Sequence, residues 1–435
     1  MSGAQRRVIL ITAVWGSMLL AGGSAHAESV TSRLPNGLTI LVHENHAAPL
    51  VAASLFVRVG GRWETQDTSG LSNLLQQVML KGTVKRSALE IVLAAEDIGG
   101  GISAGPDADF SEIRGTALGR YWKSLLELMA DVSLHPSLPP SELEGERRLI
   151  LRSIRNRQDQ PYGLAFDTLM ARLYGEHPYG LSPLGRAAVV ERLDRDALRA
   201  HYERYYRPGR MILSVSGDVE GREVVAEAGR LFGEVPAGGI ESDSILPTPS
   251  PGGDRLSVTH PSAQVQILMG FLAPPIGHVD YAPMKVLMTA LGGGMGGRLF
   301  TELRDKHGLA YSAGAAYPSR VGPSYLLTQM GTAPANAAQA EEAMRREIER
   351  IRDAGVSPDE LERAKMYLLG QFALDRRTNA RLAWYAAFFE AAGVGHDFAP
   401  RYVRAVESVT ASDVQAVAAR YLGSPTVVSL GPQAR

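Results

Sequence analysis

Apolar residues recur along this chain with two periods, and the switches between them mark its elements. Residues 38–42 and 51–59 are β-branched and apolar runs bounded by Asn36-Gly37 and Gly60-Gly61, which predicts two strands. Leu71, Leu74, Leu75, Val78 and Met79 then recur at helical spacing. Further helices are predicted near 120–131, 141–157 and 194–206, followed by Pro208-Gly209 and a strand at 211–216. The second part repeats the theme: a strand at 264–271, helices at 281–291, 335–353, 358–371 and 411–421, and a strand at 426–430. Strands mixed with helices in this order predict an α+β fold, with helices packed on a mainly antiparallel sheet.

The repetition extends to residues. Pro140-Ser141-Glu142-Leu143-Glu144 recurs as Pro358-Asp359-Glu360-Leu361-Glu362. Asp196, Arg204-Tyr205 and Gly217 recur in the same order as Asp413, Arg420-Tyr421 and Gly431, at nearly the same offset. Two matches in one order predict a duplication, hence two homologous halves. From 236 to 254 the chain is rich in Pro, Gly and Ser, as an extended connection is. The predicted organisation is a first domain at 28–238, a linker at 239–253 and a second domain at 254–435.

Composition narrows the chemistry. The 435 residues are 45% hydrophobic and 21% charged, an ordinary globular balance, with a formal net charge of -1. Nothing in that charge points to nucleic acid or an anionic membrane. There are no cysteines, which removes disulfides, thiol nucleophiles and cysteine-ligated zinc. Arg6-Arg7, an apolar stretch at 8–20 and Ala25-His26-Ala27 have the form of a cleaved signal peptide at 1–27. The expected location is therefore the periplasm. Past that stretch the chain has no uninterrupted apolar run of membrane-spanning length.

Asn73, Gln76 and Gln77 occupy i, i+3 and i+4 on the predicted helix, so they share the face opposite its leucines. With Gly60-Gly61 before them and Lys81-Gly82-Thr83 after, this stretch resembles the zinc helix of the M16 (pitrilysin/insulinase-like) peptidase family. That family carries an inverted H-x-x-E-H there. The resemblance implies two halves of the LuxS/MPP-like metallohydrolase fold. It also implies that Asn73, Gln76 and Gln77 stand where two zinc-binding histidines and a general-base glutamate would stand. Neutral amides are poor zinc ligands beside imidazole, and a glutamine takes up no proton near neutral pH. Glu146-Arg147 matches the pair that precedes the family's third ligand, which places that ligand position at Ser153. No metal is expected on this chain; the polar face is expected toward solvent or a cavity. His43 and His46 form an H-x-x-H on a strand end and read as a solvated loop, and His177-Pro178-Tyr179-Gly180 reads as a structural turn.

A second constellation lies further on. Gly292-Gly293-Gly294-Met295-Gly296-Gly297 runs into a helix and then into Leu303-Arg304 and, seven residues after the arginine, Tyr311. A phosphate-binding loop fits poorly, because no Gly-Lys-Ser/Thr follows and the loop succeeds a helix. The family resemblance implies instead a substrate-contacting loop, with Gly292, Gly293, Gly294, Gly296 and Gly297 against the peptide. Arg304 and Tyr311 match the family's arginine–tyrosine pair, which stabilises the carbonyl oxygen under attack. Read without the resemblance, they are a surface arginine and a core tyrosine at a strand start. Together these features predict a zinc-free subunit of a secreted heterodimeric peptidase. Its expected partner bears H-x-x-E-H and the zinc, and is encoded next to it. The alternative is a structural or peptide-binding subunit without a role in chemistry.

Overall fold

A computed structural model describes residues 29–238, 246–249 and 253–432. The segment read as a signal peptide and most of the predicted linker lie outside the described residues.

The first half contains β1 (Ser29–Arg33), β2 (Thr39–Glu44), β3 (Leu50–Val57), α1 (Leu71–Met79), α2 (Ala88–Asp97), β4 (Gly101–Pro106) and β5 (Ser111–Leu118). It continues with α3 (Trp122–Leu134), α4 (Pro140–Asp159), α5 (Pro161–Tyr174), α6 (Ala187–Val190), α7 (Arg195–Tyr205), β6 (Met211–Gly217) and α8 (Gly221–Phe232). The second half holds β7 (Arg255–Thr259), β8 (Val265–Ala273), α9 (Tyr281–Gly292), β9 (Ser312–Ala316), β10 (Ser324–Thr332) and α10 (Ala337–Ala354). It ends with α11 (Pro358–Asp375), α12 (Asn379–Ala391), α13 (Phe398–Ser408), α14 (Ala411–Tyr421) and β11 (Thr426–Gly431).

Each half builds one sheet. The first runs β1-β2-β6-β3-β5-β4 and the second β7-β11-β8-β10-β9. Without β1 the two orders are the same, strand for strand. In each sheet one pair is parallel, β2 with β6 and β11 with β7, and the other pairs are antiparallel. The duplication seen in the sequence is thus also a duplication of topology, and the fold is α+β.

The central strands are buried on both faces. All seven residues of β6 are buried, as are seven of the eight in β3. Doubly covered strands read as continuous apolar runs, because no face meets water. The covering is reciprocal. On one face of the first sheet, Leu55, Val57 and Ile113 pack with Leu74, Leu125 and Met129 of their own half. On the other face, Leu41, Phe56, Phe110 and Ile212 join the core of the second half through α12. The second sheet receives α5 in return: Ala165, Leu169 and Met170 pack on Leu268, Leu327, Val428 and Leu430.

Both exchanged helices are tied down by polar contacts. Asn45 donates to the Asn379 side chain at 2.7 Å, and Asn379 donates to the Leu50 carbonyl at 3.2 Å, at the start of α12. Arg58 donates to the Glu390 carbonyl at 3.0 Å near its end. On α5, the Tyr174 hydroxyl donates to the Pro323 carbonyl at 2.9 Å. A buried junction lies beside them. Asp109 accepts from the Tyr179 hydroxyl and, at 3.0 Å, from the Val321 amide, while the Gly322 amide donates to the Tyr179 oxygen at 3.0 Å.

Candidate functional site

The helix that resembles a zinc helix, α1, enters through Gly70, whose φ of 91° lies in the left-handed region. A Cβ there would lie 2.9 Å from the Gly185 Cα, so backbone proximity as well as conformation requires glycine. Glu64 caps the helix. Its carboxylate accepts from the Gly70 and Ser72 amides, both at 2.7 Å, which satisfies free donors at the helix start. Burial pushes this carboxyl up to about 7, against the two amides that favour the anion.

The three amide side chains do not share one environment. Asn73 is 9% exposed and lines a cavity of about 120 Å³ with Glu64, Ser72, Asp167, Tyr179 and Arg320. Gln76 is 0% exposed: its amide donates to the Tyr206 hydroxyl, and its Oε1 has no partner among the described residues. Gln77 is half-buried. The expected face toward solvent or a cavity therefore holds for Asn73 and is corrected for Gln76, which is interior. The reason is α7 and the residue after it, which bring the buried Tyr206 onto this face of α1. Ser153, on the neighbouring α4, is exposed, and its hydroxyl donates back to the Leu149 carbonyl at 3.0 Å.

These donors do not fit a zinc ion. Gln76 is committed to a tyrosine, Ser153 to its own helix, and none of the four supplies an imidazole or a carboxylate. Among the described residues no three His, Cys, Asp or Glu side chains gather as a metal site. His201 is the histidine beside α1, 3.5 Å from the Ser72 hydroxyl, and burial pushes it down to about 4, so it is neutral at pH 7. His46 bonds Asp218 at 2.7 Å on the surface. His177 is 2% exposed and accepts from the Tyr179 amide at 3.1 Å, as a structural turn would. The flanking motif residues are also structural: Lys81 pairs with Glu146 at 2.9 Å, and Thr83 donates to Asp131 at 2.8 Å.

The glycine-rich segment follows α9 and splits by role. Gly292 and Gly297 are buried against each other and against the strand at Gly314-Ala315, where no side chain would fit. Gly293 is half-buried, and Gly294 and Gly296 are exposed. At Gly294 the φ is +70°, and a Cβ would lie 2.8 Å from the Tyr367 hydroxyl. Gly293 and Gly296 line a cavity of about 230 Å³ with Tyr367 and Arg363. Arg298 pins the end of the loop to α11, at 2.6 Å and 2.9 Å from the two Glu360 oxygens.

Arg304 sits on the wide helical segment Leu299–Lys306 that follows. It is exposed, its guanidinium 4.5 Å from the Phe300 ring centre, and it has no carboxylate partner among the described residues. Tyr311 immediately precedes β9 and is 78% exposed; its amide donates to the Gly331 carbonyl at 3.1 Å, and its hydroxyl bonds no described residue. A core tyrosine is thereby excluded. Neither side chain contacts Asn73, Gln76, Gln77 or Ser153 among the described residues.

The comparisons bear on the class. The family model for "Insulinase (Peptidase family M16)" matches residues 39–186, and the model for "Peptidase M16 inactive domain" matches 192–368. The chain belongs to the M16 peptidase family. It is similar to an uncharacterised zinc protease of Bacillus subtilis, YmxG, with 28% identity over 350 residues, spanning 80% of this chain and 85% of that one. An uncharacterised zinc protease of Rickettsia bellii is 26% identical over 415 residues, spanning 92% and 97%. The solved structure of a peptidase M16 inactive domain from Pseudomonas fluorescens superposes with a TM-score of 0.87 at 22% identity, covering 93% of this chain and 98% of that one. A protease from Helicobacter pylori superposes at 0.85, also at 22% identity, covering 93% and 100%. Both structures speak to the fold.

The sequence reading passes over a large cavity at the junction of the halves, lined in part by α9, α11 and α12. The signal for it was the aromatic density of 384–389, in a helix that the periodicity leaves unmarked.

Proposed function

We propose that this chain is the zinc-free subunit of a periplasmic M16-type peptidase heterodimer. It would complete a peptide chamber and lend Arg304 and Tyr311 to a partner that bears H-x-x-E-H. The observation that carries this reading is an asymmetry. Of the corresponding positions in the first half, Gln76 and Ser153 are engaged within the fold and none of the four offers an imidazole or carboxylate, whereas the arginine and tyrosine of the second half are exposed with no hydrogen bond to a described residue from either side chain.

The chemistry assigned to this chain is hydrogen-bond donation. A scissile carbonyl oxygen gains negative charge as it is attacked, and a phenol and a guanidinium held ready for it lower the barrier. The partner's zinc would polarise that carbonyl and activate the attacking water. The exposed Gly294 and Gly296 would let a peptide backbone approach closely. Peptides and unfolded segments are the substrate class.

The test is peptide hydrolysis by the zinc-bearing chain from the adjacent reading frame, alone and with this one. Activity is expected to rise on mixing. Tyr311→Phe or Arg304→Ala in this chain should cut kcat roughly 10²–10³-fold with the complex still assembled. Full activity with both variants would mean the pair is a relic and the chain a structural or peptide-binding subunit. Equal hydrolysis with and without this chain would refute a part in proteolysis.

A further inference from the structure

The junction cavity holds about 680 Å³, and no part of the peptidase reading uses it. Its volume is that of a site for a small organic ligand. Its wall is aromatic, with Phe372 from α11, Trp384 and Phe388 from α12 and Tyr402 from α13 all facing it. Trp384 and Phe388 stack on each other at 4.9 Å, so their ring edges form one apolar surface in the wall.

Two cations of that wall have no carboxylate partner among the described residues: Arg377, which is exposed and donates to the Leu374 carbonyl at 2.8 Å, and the half-buried Lys285. Lys285, on α9, points its ammonium between two tyrosines, 5.3 Å from the Tyr281 ring centre and 4.9 Å from that of Tyr317. Its hydrogen bond goes to the Tyr317 carbonyl, at 2.7 Å, which leaves two of its three donors. No carboxylate lies within ion-pair distance among the described residues. The acids nearest the cavity are engaged elsewhere: Asp375 accepts from Arg381 at 2.5 Å and from Tyr385 at 2.6 Å, and Asp107 lies 3.4 Å from Arg320. Burial alone pushes the lysine down, to about 8, as expected of a desolvated cation without a charged neighbour. The Tyr402 hydroxyl likewise makes no hydrogen bond to a described residue. An unpaired, partly desolvated cation in an aromatic wall is costly unless an anion meets it.

We propose that this cavity binds an aromatic monocarboxylate, its ring against Trp384 and Phe388 and its carboxylate on the Lys285 ammonium. Two sources share that chemistry: a free aromatic acid, and the C-terminal aromatic residue of a peptide. The site stands apart from Arg304 and Tyr311, and its test needs no partner chain.

The experiment uses the isolated mature chain. It is titrated by calorimetry and by tryptophan emission with 3-phenylpropionate, its neutral amide, and a tetrapeptide ending in phenylalanine with a free or an amidated terminus. The acids should bind roughly tenfold or more tightly than their amides. Lys285→Met should lose that preference and Lys285→Arg keep it, with unchanged circular dichroism showing both folded. Trp384→Phe should lose the emission change and keep the heat. Tighter binding of the free acid assigns a small-molecule site; tighter binding of the free-terminus peptide assigns a C-terminal anchor. The proposal is overturned if neither binds at about 5 mM, or if acid and amide bind alike.

Discussion

Asn73, Gln76 and Gln77 look equivalent on a helical wheel, and the fold gives each a different surrounding. Spacing tells which residues share a face but not what covers it. Here Tyr206 covers Gln76, which leaves Asn73 on a cavity. That these side chains offer amides and not imidazoles was legible from residue type alone, since no packing turns one into the other. The exposure of Arg304 and Tyr311 was not, because exposure is a property of the folded surface. A residue-scale prediction concerns Arg298 and Glu360, which brace the glycine loop. Glu360 is held down to about 2 by the Arg298 guanidinium, against an ordinary value of 4.5. A depressed carboxylate stabilises the fold above its unfolded value, and that stability is lost as pH falls toward its folded value. Arg298→Met should therefore cost about 1–3 kcal/mol at pH 7 in urea unfolding. The gap between variant and parent should close as pH falls from about 4.5 toward 2.

Among elements, the predicted strands 38–42, 51–59, 211–216, 264–271 and 426–430 correspond to β2, β3, β6, β8 and β11. These are five of the seven described interior strands, without β5 and β10, where Glu112, Arg114, Thr328 and Gln329 interrupt the apolar run. They are legible because burial on both faces makes them long apolar runs. The edge strands β1, β4, β7 and β9 carry small or polar residues and send little signal. Six described helices are missing from the pattern (α2, α5, α6, α8, α12 and α13), and two of them, α5 and α12, are the exchanged ones. α12 lies between a sheet and its own half, so apolar residues surround it and the helical stripe blurs. The helix α8 was within reach, since Val224, Ala228 and Phe232 recur at i+4 spacing. An element-scale prediction follows from α5. Leu169 is 0% exposed against the second sheet, with its side chain 3.1 to 3.3 Å from where a Cβ on Gly270 would stand. Leu169→Ala should cost about 2–5 kcal/mol. The loss should appear equally in probes of both halves, because the helix belongs to the first by chain and to the second by packing.

At the scale of the molecule, that exchange makes the two halves one cooperative body. Each sheet is closed by a helix the other half supplies, and Asp109, Tyr179 and Gly322 join them through buried hydrogen bonds. A cut in the proline-rich connection separates the halves in sequence but not in space. Residues 28–238 expressed alone should therefore lack a fixed tertiary structure, with weak near-ultraviolet dichroism and rapid amide exchange. Coexpression with 254–435 should restore both signals. A well-dispersed, protected fragment would show that the exchange is dispensable.

What the sequence determines by itself here is whatever rests on residue type and local period. That includes the duplication, the α+β class, the strands β2, β3, β6, β8 and β11, and the amide and hydroxyl character of Asn73, Gln76, Gln77 and Ser153. The tertiary structure decided what depends on surfaces meeting over long separations. It sets which half covers which sheet, it encloses Gln76, it leaves Arg304 and Tyr311 open, and it gathers Lys285 and the aromatic residues of α12 around one cavity. The physical reason is that covalent identity and helical or strand period are local, whereas burial and charge pairing belong to the assembled fold.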